Sequence, residues 1–287
     1  MDRSGDQALL AGIDDLTASF AGELGVFAKN LTTGEEVAYH ADEVMPTASV
    51  IKVAIMAELY RQAGAGEVDL ERRIRLQASD WYGGTGVLKE LMPGLEPTVL
   101  DLCRLMIIQS DNVATGILVR LLGKERINQS LREWGFDVTE VRMKMSLGED
   151  IRQYAVSTPR ELGRLMELIA TDSFLTPETC AEMRKHLGKQ QHQEQIPREL
   201  PYHQYAADIG IEQPGHVMNK IGNYMGMRAD AAIITAPKVS YVLATVNEGS
   251  LDHGFSVDQE GNVLNGRVAK LVFDAWVGSL DCWSPAG

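Results

Sequence analysis

The chain is predicted to be an α/β protein, a largely antiparallel sheet flanked by helices, with an all-helical domain inserted between its two ends. Three observations predict this. Segments of strand character cluster near the N-terminus, at 25–31 and 35–40, and return near the C-terminus, at 216–220, 230–236 and 239–246. The stretch between them is dominated by apolar residues at helical spacing. A helical pattern also stands outside each strand cluster, with Leu9, Leu10, Ile13, Leu16 and Phe20 at one end and 265–276 at the other. Residues 1–45 and 200–287 are expected to form one layered α/β domain and 46–199 the inserted helical domain, with any active site in the cleft between them.

Each element has its own warrant. The Leu9 to Phe20 stripe predicts a helix over about 8–21, and Thr32-Thr33-Gly34 a hairpin turn between the first two strands. Ser49 to Tyr60 reads as a buried helix with Pro46-Thr47-Ala48 as the turn leading into it. Residues 70–76 read as a short extended piece, and Trp81-Tyr82-Gly83-Gly84-Thr85-Gly86 as a loop. Its aromatics either lie over a cleft or pack on a neighbouring helix. Helices follow at 98–108, 113–122 and 125–134. Residues 138–156 read as irregular. Thr158 and Pro159 open a helix through Ala170, with Glu161 placed for a capping box. Another helix covers 177–187, and the proline-punctuated, polar stretch 190–201 returns the chain to the sheet.

With 287 residues and 45% hydrophobic content the chain can bury a sizeable core. A formal charge of −13 argues against nucleic acid or an anionic membrane surface as partner, and no apolar run is long enough to span a bilayer. Three cysteines, Cys103, Cys180 and Cys282, give no disulfide framework. His186, His192, His203 and His216 fall at no compact ligand spacing, so neither a metal nor another cofactor is expected. The first residues lack an export signal. That implies a cytoplasmic protein if Met1 is the native start, and a periplasmic or secreted one if a leader was removed.

Two polar residues on the apolar 49–60 segment point to chemistry. Ser49 and Lys52 are three apart and share a helix face. A hydroxyl becomes a useful nucleophile when a neighbouring amine of lowered pKa takes its proton. A helix N-terminus supplies amide donors for an oxyanion. Ser110-Asp111-Asn112, set between two apolar helices, is a second costly polar site, and Lys220-Ile221-Gly222 on a strand is a third.

Taken in order, these three elements resemble the serine β-lactamase and penicillin-binding protein superfamily, with its S-x-x-K, S-D-N and K-T-G triplet, and are closest to class A β-lactamase-like serine hydrolases. The similarity extends over nearly the whole chain. It implies Ser49 as the acylated nucleophile and Lys52 as the amine that takes its proton. Ser110 would relay a proton to the leaving atom, Asn112 would hold Lys52 and the substrate, and Lys220 would face a substrate carboxylate. The oxyanion hole would be the amides of Ser49 and Asn223. Asn223, Arg228, Tyr82, Trp81 and His216 are the expected substrate contacts, and Asp111 is expected to brace its turn. Some relatives join the Ser49 helix to the next by a disulfide; Cys103 stands at one end of it, but Met56 stands at the other.

Two departures qualify the resemblance. Class A enzymes carry a deacylating glutamate before the Thr158 helix, and here Met145 stands at that position, with Glu149 as a possible substitute base and Glu140 a weaker one. The third motif has Ile221 in place of a hydroxyl residue. The expected function is a serine acyl-hydrolase acting through Ser49 on a small-molecule β-lactam, ester or amide, with slow β-lactam deacylation. The alternatives are a penicillin-binding-type enzyme acting on D-alanyl peptides, or a silent binding module of the same fold. The sequence leaves the oligomeric state open.

Overall fold

The computed structural model describes residues 3–143, 150–206, 208–213 and 215–278. Helix α1 (Arg3–Thr17) leads into the hairpin of β1 (Glu23–Asn30) and β2 (Glu36–Tyr39). Three long strands close the chain, β6 (His216–Tyr224), β7 (Met227–Ala236) and β8 (Val239–Glu248), followed by α8 (Glu260–Trp276). They join the hairpin in a five-stranded antiparallel sheet of order β2-β1-β8-β7-β6. The antiparallel sheet flanked by helices is as the sequence predicts.

Alternation along the strands gives the sheet two apolar faces. On one, Ala232, Ile234, Leu243 and Val26 pack with Leu9 and Ile13 of α1 and Leu264, Val268 and Val272 of α8. On the other, Ala229, Ala231, Ile233, Val242 and Ala244 join the larger core of the helical part. That part comprises α2 (Lys52–Gly64), α3 (Val99–Ile108), α4 (Asn112–Leu122), α5 (Lys124–Glu133), α6 (Pro159–Ala170) and α7 (Pro177–Leu187). Helix α2 is buried nearly all round, from Val53 to Tyr60, as its apolar sequence requires. Cys103 and Cys180 are buried free thiols, Met56 is buried in the same core as Cys103, and Cys282 lies outside the described residues. No helix among the described residues is long and apolar enough to cross a membrane.

Several elements differ from the sequence-based expectation, each for a local reason. Helix α1 begins and ends about four residues early, leaving Phe20 in the turn before β1. Residues 138–156 contain β4 (Glu140–Val141) and β5 (Ala155–Ser157), which with β3 (Met45–Pro46) form a small sheet of order β3-β5-β4. Strands of two or three residues are too short to show a period. Pro46 sits in an edge strand of this sheet, where the missing N–H costs no ladder bond. At α6, Thr158 caps as expected by accepting from the Glu161 amide. The Glu161 carboxylate completes no capping box; it accepts from the amides of Asp137, Val138 and Thr139 and pins that loop to α6. Helix α8 starts earlier than its apolar stripe because Gln259, an uncommon cap, accepts from the amides of Gly261 and Asn262.

Candidate active site

The Ser49 segment is not one continuous α-helix. Residues Ala48–Ile51 form a 3-10 turn, and α2 begins at Lys52. In 3-10 geometry positions three apart eclipse, which puts Ser49 and Lys52 on one side of the turn. Ala48 holds a left-handed φ of 42° to admit the turn. Strand β6 packs against it through Gly222. A methyl group there would lie 2.4 Å from the Thr47 carbonyl oxygen and 2.9 Å from the Ser49 nitrogen, so only glycine permits this approach.

Helices α3 and α4 meet at a corner formed by 109–112. Ser110 sits in the left-handed region at φ 54°, a strain of about 1–3 kcal/mol for a non-glycine residue. The corner is held by Asp111, which is buried and caps α4 through the Ala114 amide at 3.0 Å. Its other oxygen accepts from the amides of Val87 and Leu88 at 2.7 and 2.8 Å. The close approach of loop 83–86 also requires Gly86, whose φ is 115° and where a side chain would overlap Asp111. Asp111→Ala strips an acceptor from three backbone donors, and the expected result is a loss of at least about 2 kcal/mol in urea or thermal unfolding.

Lys52 and Lys220 approach Ser110 from opposite walls, and both are fully buried. Lys52 Nζ donates to the Ser110 carbonyl at 2.7 Å and to Asn112 Oδ1 at 2.8 Å, and stands 3.1 Å from Ser110 Oγ. Lys220 Nζ stands 3.0 Å from the same Oγ and donates to the Ile221 carbonyl at 2.8 Å. Thr85 Oγ1 also donates to the Ser110 carbonyl, and Asn112 Nδ2 donates to the Gly83 carbonyl. Burial first, and then the charge of Lys220, push the Lys52 ammonium well below the usual lysine range. Burial lowers Lys220 to about 7, against the opposing pull of Asp230 and Glu194. Asp230 is buried behind β6, bonded to Asn219 and the Ile196 amide, and its burial raises it to about 7. A buried amine whose pKa is lowered by its surroundings, set beside a shared hydroxyl, is equipped to accept and pass on a proton.

The remaining candidates divide. Tyr82 is half exposed and lines a groove of about 530 Å³ together with Asn112, Met143 and Tyr154, whereas Trp81 packs onto the helical core. Asn223 lies on β6 one residue beyond Gly222, its side chain bonded to Gln195 and Glu194. Two expected substrate contacts are placed otherwise. Arg228 is fully buried; its terminal nitrogens donate to the carbonyls of Tyr224, Met227 and Gly254, and the guanidinium lies over Phe255. It clamps the β6–β7 turn rather than reaching toward Lys220. His216 is four residues upstream of Lys220 on β6, about 13 Å at strand rise, and lines a separate groove with Tyr205 and Gln213. Glu140 is ion-paired to Arg142 at 2.7 Å in a third groove that includes none of Ser49, Lys52 and Ser110. Met145 and Glu149 lie outside the described residues. Among the described residues no group of three His, Cys, Asp or Glu side chains converges as a metal site. Sequence reasoning missed Thr85, which shares the Ser110 carbonyl with Lys52, and the pair His192 and Glu194, which sits beside Asn223. Only the polarity of the 190–201 stretch hinted at the latter.

Comparison with known proteins finds relatives over nearly the whole chain. A β-lactamase of Streptomyces fradiae is 28% identical over 263 residues, covering 88% of this chain and 81% of that protein. The crystal structure of a β-lactamase from Sphaerobacter thermophilus superposes with a TM-score of 0.83 at 28% identity, over 96% of this chain and 97% of that one. An acyl-enzyme complex of a PBP-A mutant with penicillin G shares the fold, with a TM-score of 0.81 at 22% identity over 96% of each chain. The model of the beta-lactamase enzyme family matches residues 8–276, nearly the whole chain. The chain therefore belongs to the beta-lactamase enzyme family, as a serine hydrolase of β-lactamase type.

Proposed function

We propose that the protein transfers the acyl group of a small β-lactam, ester or amide to Ser49 and releases it slowly when the substrate is a β-lactam. The observation that carries this reading is the buried Lys52 amine, lowered in pKa and bonded to the Ser110 carbonyl and Asn112 beside the Ser110 hydroxyl. Ser49 Oγ attacks the carbonyl carbon and gives its proton to neutral Lys52. The carbonyl oxygen becomes an oxyanion held by the amides of Ser49 and Asn223, at the turn that Gly222 lets β6 approach. The proton then passes through Ser110 Oγ to the leaving nitrogen or oxygen as its bond to the acyl carbon breaks, with Lys220 holding the relay hydroxyl from the far side.

The relatives named as β-lactamases favour a β-lactam among the substrate classes. The PBP-A complex is consistent with a fold that holds a penicilloyl ester. Deacylation is the weaker half-reaction. Met145 stands where the resemblance places a general base, and among the described residues no carboxylate is bonded to Lys52, Ser110 or Asn112. The test is hydrolysis of a chromogenic cephalosporin and a p-nitrophenyl ester by the protein and by Ser49→Ala. Ester or cephalosporin cleavage that depends on Ser49 supports the reading. Cleavage of neither, with no adduct, shifts the protein to a binding role.

The charge of Lys220 makes a separate prediction. A cation beside Lys52 disfavours a second positive charge, so removing it raises the pKa of Lys52 and leaves less neutral amine at a given pH. Lys220→Gln is expected to move the acid limb of the acylation-rate profile to higher pH. A profile that stays in place would show that burial alone sets the amine.

A further inference from the structure

A chain of carboxamides runs from β8, the central strand of the sheet, through α8 to the edge strand β6. Asn247 Nδ2 donates to the Gly261 carbonyl at 3.0 Å and to Asn265 Oδ1 at 2.9 Å. Asn265 Nδ2 donates to Gln195 Oε1 at 2.8 Å, and Gln195 Nε2 to Asn223 Oδ1 at 2.7 Å. Asn247, Asn265 and Gln195 are fully buried, so each bond is costly to break. A backbone carbonyl only accepts, so Asn247 must turn its amino group toward Gly261, and each later amide is oriented in turn. Asn223 is left presenting an amino group, and the acceptor it meets is Glu194 Oε1 at 3.3 Å. Beyond it, His192 Nδ1 stands 3.7 Å from the same oxygen.

This network holds a carboxylate beside Asn223, three residues along β6 from Lys220. Its negative charge acts on both Lys220 and Arg228, favouring the charged form of each. Neither cation is otherwise open to an incoming anion. Lys220 is engaged with Ser110 Oγ and the Ile221 carbonyl, and the terminal nitrogens of Arg228 are engaged with backbone carbonyls. Ile221 adds no hydroxyl donor and is itself buried.

We propose that Glu194, held against Asn223, is a built-in anion at the end of the site where a substrate carboxylate would otherwise be bound, so that the site selects acyl substrates that carry no negative charge there. The preferred substrate is then a β-lactam, ester or amide without a negative charge at that place. This deepens the acyl-transfer reading and rests on it for the meaning of "substrate", but the charge preference itself is a binding property. Glu194 acts as a specificity-determining residue: it opposes one ligand charge and leaves the transferred acyl group untouched.

Benzylpenicillin and its methyl ester differ in that one charge. Their non-covalent binding is measured by calorimetry on Ser49→Ala and on Ser49→Ala/Glu194→Gln, the covalent step being removed from both. The expected result is a preference for the methyl ester in the first protein. In the second, the acid-to-ester affinity ratio rises on the order of tenfold, because a like-charge opposition has been removed. Glutamine keeps an oxygen acceptor for Asn223, so the amide chain survives the change. Ser49→Ala/Glu194→Asp keeps the charge and is expected to retain the ester preference, an outcome that mere disturbance of the loop does not give. Failure of the acid to gain on the ester, whatever the absolute affinities, overturns the proposal. Adduct formation by the unsubstituted protein is read separately by intact mass. A silent Ser49 refutes the acyl-enzyme reading alone, and an unchanged ratio in a protein that acylates refutes the role of Glu194 alone.

Discussion

Lys52→Met is expected to slow acylation of Ser49 by about 10²–10⁴-fold, the span that follows loss of a positioned general base. Methionine keeps the length and apolar character of the buried stem while removing the amine nitrogen assigned to take the serine proton. The site around it is otherwise preserved: the Ser110 carbonyl keeps its bond from Thr85, and Asp111 still fixes the corner. Removing a buried amine also relieves the desolvation that lowers its pKa, so the variant is expected to melt near the parent temperature. Stopped-flow or quenched-mass measurement of the adduct gives the rate, and a thermal melt gives the control. A rate within a factor of a few of the parent would move the base role to another group.

The second large effect concerns release. Benzylpenicillin is expected to leave a covalent adduct that outlasts its formation by orders of magnitude, with deacylation slowed by about 10²–10⁴-fold relative to an enzyme holding a carboxylate base over the ester. A neutral ester such as p-nitrophenyl acetate leaves a smaller acyl group, and Lys52 remains available to activate water, so turnover of that substrate is expected to be faster. A time course of intact mass after rapid removal of free ligand separates the two. Prompt recovery of the unmodified mass after penicillin would mean that a base from the 144–149 stretch reaches the ester, and loss of that recovery in Glu149→Gln would name it.

Much of the site was legible in the sequence because buried polar residues on apolar elements are few and costly. Lys52, Ser110 and Lys220 meet at one hydroxyl although they come from α2, the α3–α4 corner and β6. The helices α3, α4, α6 and α7 begin at or within about a residue of their expected starts because Thr98, Asp111, Thr158 and Thr176 are capping residues with clear signals. What was not legible depends on contacts between distant segments. Two-residue strands carry no period, so β3 and β4 were invisible. Arg228 looked like a free cation, but a turn two residues long and the carbonyls of Tyr224, Met227 and Gly254 enclose it. His216 shares a strand with Lys220, and strand rise alone carries it out of reach. The Glu194 network joins residues from 192 to 265, and no local pattern announces that their amides align.

The central claim is that Ser49 carries the acyl group, and peptide mapping of the protein after brief exposure to benzylpenicillin and to a p-nitrophenyl ester tests it most directly. The added mass is expected on the peptide containing Ser49, absent from Ser49→Ala and strongly reduced in Lys52→Met. An adduct on any other residue, or one that persists undiminished in Ser49→Ala, would contradict it.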